Sequence, residues 1–144
     1  MTYISQSDIE NVYGSANVAA WSDLTGGDTA DSTRITASIT YAEHYVENLF
    51  RASQYQVPFA SGASGYDTQL VDWMSAIAGD WLYRSRGVRR RISRTAVDVG
   101  DGTGLTSETI ARVRQEMGAA LSGKIRLDAG LKSNPMAEGP SCVF

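Results

Sequence analysis

The strongest constraint on the fold is the spacing of Ile35, Ile39, Ala42, Val46 and Leu49, which lie 4, 3, 4 and 3 residues apart. Only an α-helix turns such a series into one apolar stripe. Asp31 or Ser32 can cap its start, and Asp28 and Asp31 are favoured beside a positive helix N-terminus. The spacing predicts a helix over residues 31–52. A second stripe, Leu70, Trp73 or Met74, Ile77, Trp81 and Leu82, predicts one over 67–84, with Gly79 marking a close helix crossing. A third, Ile110, Val113, Met117, Ala120 and Leu121, predicts one over 106–124 that opens at Thr106-Ser107-Glu108. Ser5 to Asp8 reads as the start of a short helix carrying Ile9, Val12 and Tyr13, stopped by Gly14, and another short turn fits 15–24. Ile39 and Ile77 are expected in the core.

Between these segments the chain changes character. Thr25-Gly26-Gly27-Asp28 and Ser61-Gly62-Ala63-Ser64-Gly65 read as loops, and Tyr55 to Phe59 is extended because Pro58 disfavours helix at the residue before it. Residues 95–99 alternate like a short strand, and Gly100 to Gly104 reads as a mobile loop. The expected fold is all-α: about four helices over residues 1–129, an extended arm or loop at about 85–105, and a flexible C-terminal tail over 130–144 that orders on assembly. At 144 residues, 42% of them apolar, the chain can build one core. The start, Met1 to Gln6, has neither a basic nor an apolar run, so no signal peptide is expected. The longest apolar run is Val18 to Trp21, so no membrane contact is expected.

Few side chains can carry chemistry. One cysteine, Cys142, excludes an internal disulfide and a cysteine metal site, and one histidine, His44, excludes histidine clusters. Glu43 and His44 are neighbours on a helix and point about 100° apart, so they do not form an acid–base pair. Asp98 to Gly104 lacks an oxygen ligand at the third position of a calcium loop, which is Gly100, and has no Gly-Lys-Ser/Thr for phosphate. Asp23, Asp28 and Asp31 around Gly26-Gly27 are a loose candidate for a cation, with capping the simpler role for the last two. The aromatics, including Tyr41, Tyr45, Trp73 and Trp81, are expected in core and interface. An enzyme is not expected, nor a cofactor or a metal.

Charge is unevenly placed. Residues 1–50 hold seven acids and one base, Arg34, whereas residues 84–94 hold Arg84, Arg86, Arg89, Arg90, Arg91 and Arg94 and no acid. The arginines fit contact with a neighbouring subunit or partner protein, contact with nucleic-acid phosphates, or a solvated surface, and the first is favoured. The acidic first third makes a head-to-tail match between copies plausible. In the tail, Cys142, Val143 and Phe144 form an apolar group suited to a pocket on a neighbour.

The order of these features resembles the head–tail connector (adaptor) proteins of tailed bacteriophages, in the phage Mu-like branch. Met1 to Glu10 resembles the family's opening. The likeness continues through Leu24-Thr25, the loop ending Ala30-Asp31, and the 31–52 helix. Tyr55-Gln56-Val57-Pro58-Phe59 is similar to its Tyr-x-Leu-Pro-Leu segment, and Ala78-Gly79-Asp80-Trp81-Leu82-Tyr83 to the aromatic-Leu-Tyr end of its next helix. The resemblance covers roughly residues 1–86 and 106–127. The 25–31 loop holds fewer aspartates than is common in the family, and Arg89 to Gly104 looks like an insertion. The resemblance implies a virion protein assembled in the host cytoplasm. It would form a homo-oligomeric ring, a dodecamer, docked under the portal protein. Genomic DNA would pass through the lumen, and the ring would offer a platform to a downstream neck or tail protein. It implies no catalytic residues. The alternative from the residues is a small helical DNA-binding regulator using the arginine segment.

Overall fold

In the computed structural model, residues 2–27, 29–62, 65–85, 103–127, 129 and 130 are described, with side chains in the last helix from Ser107 onward. They form five helices and, among the described residues, no strand: α1 (Gln6–Tyr13), α2 (Ser15–Ser22), α3 (Ser32–Phe50), α4 (Thr68–Arg84) and α5 (Thr103–Leu121). The all-α class read from the stripes holds.

Local chemistry sets the helix ends. Asp8 accepts hydrogen bonds from the Ser5 N–H and hydroxyl (2.7 and 2.9 Å) at the start of α1. Asp31 accepts from the N–H groups of Thr33 and Arg34 at α3, and Asp67 from that of Gln69 at α4. Each occupies donors that the first helical turn cannot satisfy itself. Gly14, at φ 91°, stops α1 and starts α2 with no intervening loop.

Helix α4 is the centre. Every residue from Trp73 to Asp80 is buried, a pattern that only a helix covered on all sides allows. α1, α2, α3 and α5 all pack on it. α3 runs antiparallel to it, as Arg34 meets Ser85, Tyr41 meets Trp81 and Phe50 meets Trp73. Gly79 permits the α1 crossing: a Cβ there would clash with the edge of the Tyr13 ring at Cε2, and the hydroxyl of that ring donates to the Ala76 carbonyl at 2.8 Å. Trp73 stacks on Phe50 (6.0 Å) and its Nε1–H donates to Glu116 of α5 at 2.9 Å. Arg112 of α5 adds ion pairs to Asp72 and Glu116.

Two sequence expectations need correction. Leu49 does not end the α3 stripe; it is 39% exposed, and Phe50 is fully buried in its place. The next residue round the helix is the aromatic one, and it meets Tyr55, Phe59 and Trp73 together. Leu49→Ser is therefore expected to leave the melting temperature nearly unchanged, whereas Phe50→Ala costs about 3–5 kcal/mol, read by urea unfolding. Second, the last helix starts at Thr103 rather than Thr106, so 103–105 belong to α5 and not to an arm or loop. One helical glycine, Gly104, costs only about 1 kcal/mol against alanine, which a long anchored helix offsets. After α5 the chain stays against the domain. It turns at Gly123 (φ 85°), buries Leu127, and runs back along the 55–60 segment. There the Leu127 N–H donates to the Tyr55 hydroxyl and the Gln56 N–H to the Gly130 carbonyl. The expected strand at 95–99, most of the expected arm, and the tail beyond Gly130 lie outside the described residues.

Candidate assembly surface

The acids of the first third are largely committed inside the domain. Glu43 is buried and accepts from the N–H groups of Tyr3 and Ile4, and Glu47 accepts from the Tyr3 hydroxyl at 3.0 Å. Burial, and then the bond to Glu47, push the Tyr3 hydroxyl up to about 12, so it stays a donor. Asp8 and Asp31 cap helices. His44 is exposed and apart from the buried Glu43 carboxylate.

Asp23 takes protein donors where a cation was considered. Its carboxylate accepts from the Thr25 hydroxyl (2.6 Å), the Thr25 N–H (2.8 Å) and the Thr29 N–H (3.2 Å). These bonds, the Thr25 hydroxyl foremost, hold its pKa down at about 2 against an ordinary 3.8. Among the described residues no group of three or more His, Cys, Asp or Glu is placed to hold a metal. Because the folded pKa is depressed, its contribution to stability is complete above the unfolded value and is lost as pH falls through about 2. Thermal melts between pH 5 and 2 should therefore show a loss that is smaller in Asp23→Asn, whose amide oxygen still accepts from Thr25.

What stays open is the face where α3 and α5 flank α4. Its floor is Ile77 and Asp80, with Arg84 beyond; Tyr41 and Tyr45 of α3 form one wall. Ile110, Val113, Arg114 and Met117 of α5 form the other, around an open cleft of about 100 Å³. Tyr41 and Tyr45 are stacked at 6.2 Å and are each more than a third exposed; with Leu49 they make a second stripe at i, i+4, i+8 beside the buried one. Tyr41 also meets the Trp81 ring, over which the Arg34 guanidinium sits at 5.2 Å. Arg34 donates to the Ser85 hydroxyl (2.7 Å) and carbonyl (3.2 Å), a cation placed on the negative C-terminus of α4. The one base of the acid-rich third thus sits at the foot of the arginine segment.

Of the arginines singled out from the sequence, Arg84 is placed: it is half-exposed and paired with the nearly buried Asp80 at 2.7 Å, on the edge of the cleft. Arg86, Arg89, Arg90, Arg91 and Arg94, and the tail residues Cys142, Val143 and Phe144, lie outside the described residues. Sequence reasoning grouped Tyr41 and Tyr45 with core and interface aromatics without separating them. The signal was present, because 41, 45 and 49 repeat every four residues on a face next to the core stripe. No described helix is long and apolar enough to cross a membrane. Comparison with family models, with curated proteins and with solved structures finds no match to this chain.

Proposed function

We propose that the protein is a structural head–tail adaptor of a tailed-phage virion, one subunit of a homo-oligomeric ring under the portal protein. Genomic DNA passes through the ring, and a neck or tail protein attaches below. The observation that carries the reading is the exposed aromatic face of α3 and its cleft against α4 and α5. Tyr, Trp, Met and Arg together are the residues enriched where proteins bury surface on one another. The order of sequence features adds to it, as does the concentration of arginines directly after α4. Arg89, Arg90 and Arg91 are assigned to protein contact, because a lumen that grips phosphates would hinder DNA passage. Exposed ion pairs give about 0–1 kcal/mol each, yet repetition round a ring lets several act together.

The test is native mass measurement of the chain, alone and with its portal protein, for wild type and for Arg89→Glu/Arg90→Glu/Arg91→Glu. The triple variant should keep the wild-type melting temperature and lose ring or portal association in a salt-sensitive way. Normal assembly with loss of DNA retention would instead assign the arginines to DNA.

A further inference from the structure

We infer that the cleft between Tyr41, Tyr45 and α5 receives the Cys142-Val143-Phe144 segment of a second copy of this chain, an inference that rests on the ring reading above. The size of the cleft sets the kind of occupant. At about 100 Å³ and open to one side, it suits a single large side chain, since a closed apolar cavity of about 150 Å³ takes one benzene ring. It is too small for the three or four anchors of a docked helix. The walls offer aromatic and aliphatic contact, Tyr41, Tyr45, Ile110 and Met117, to a ring inserted between them.

Among residues outside the described part of the chain, Phe144 is the one aromatic. Pro135 and Pro140 disfavour a helix in the sequence leading to it. Charge agrees with this. Arg114 is exposed on the cleft wall, Arg84 stands at its edge, and Glu138 is the charged side chain nearer to Phe144, with Lys132 six residues further back. Two guanidiniums against the single Asp80 carboxylate leave the cleft positive.

Length allows a neighbour as well as the same copy, and the ring reading selects the neighbour. The described chain reaches Gly130 beside Gln56, at the end of the molecule where α3 finishes. From Phe50 back to Tyr41 is about 14 Å along the helix, which roughly five extended residues cover. Fourteen residues separate Gly130 from Phe144, enough for roughly 46 Å. That exceeds the radius of gyration of about 14 Å for a domain of this size, so the segment can reach the next subunit. Because the cleft and the segment are different patches of one chain, the contact is head-to-tail, the kind that closes into a ring.

The test uses the full chain with Ala111→Cys, an exposed position on α5 one turn before Arg114, so that Cys142 is the only other thiol in the chain. Under oxidised glutathione, a disulfide from the introduced thiol to Cys142 should form between copies. It should form at least about tenfold faster than in the same chain with Phe144→Ser, as expected for burying one large apolar side chain. A bond within one copy overturns the inference in favour of the chain's own tail. Equal rates with and without Phe144 overturn it too. Ring assembly on the portal by a chain lacking residues 139–144 would sink this inference and leave the adaptor reading standing. A Phe144-dependent bond in a chain that never assembles on the portal would do the reverse.

Discussion

Trp73→Ala should destabilise the domain by about 3–5 kcal/mol, out of a total stability of about 5–15 kcal/mol. The indole is fully buried in the first half of the central helix, stacked on Phe50 and bonded to Glu116. Its removal leaves a cavity where α3, α4 and α5 meet and takes the partner from a carboxylate that also serves Arg112. The melting temperature should fall by more than about 10 °C. Trp73→Phe keeps most of the volume and loses the Nε1–H bond, so it should cost far less, with a hydrogen-bond share of about 1 kcal/mol. A Trp73→Ala protein that unfolds within about 1 kcal/mol of wild type by urea titration, the error of such comparisons, would reject α4 as the centre of the core.

Gly79→Ala is the second large effect, and its sign is the informative part. In an open helix this change stabilises by about 1 kcal/mol. Here the new methyl would clash with the edge of the Tyr13 ring, so either α1 or the ring must move, and overpacking of this kind costs about 1–3 kcal/mol. Tyr13 cannot swing aside freely, because its hydroxyl is held by the Ala76 carbonyl and its ring lies edge-on to Trp21. Wild type should therefore be more stable than Gly79→Ala. In a Tyr13→Leu background, which lacks the ring, the same change should become neutral or stabilising. A stabilising Gly79→Ala in the otherwise native chain would mean that α1 does not cross α4 at this point.

The features legible in the sequence were those that local geometry decides. The stripes gave α3, α4 and the body of α5, the Asp caps gave the starts of α3 and α4, and a glycine in a helix gave the crossing at Gly79. Periodicity alone failed at the end of α3, where Leu49 and Phe50 both continue the pattern and the choice lies with distant rings. It was silent on Tyr55 and Leu127, which have no repeat around them and are joined only by the fold. Charge counting overstated the acidic third, because Glu43, Glu47, Asp23 and the two capping aspartates spend their oxygens on nearby donors. The aromatic face was half legible: its repeat is in the sequence, but its exposure depends on α5 flanking α4 without covering α3.

The attachment of α5 has a consequence for how this chain can diversify. α5 is keyed to α4 by Trp73–Glu116, Asp72–Arg112 and the packing of Val113 and Met117, none of which involves the residues joining the two helices. Lengthening such a connection is cheap, about 0.6 kcal/mol of closure entropy for each doubling. None of these contacts fixes the number of residues between Arg84 and Thr103. α5 holds its seat on α4 through its own side chains, so the two helices form a mount whose fit is not set by the length of the basic stretch between them.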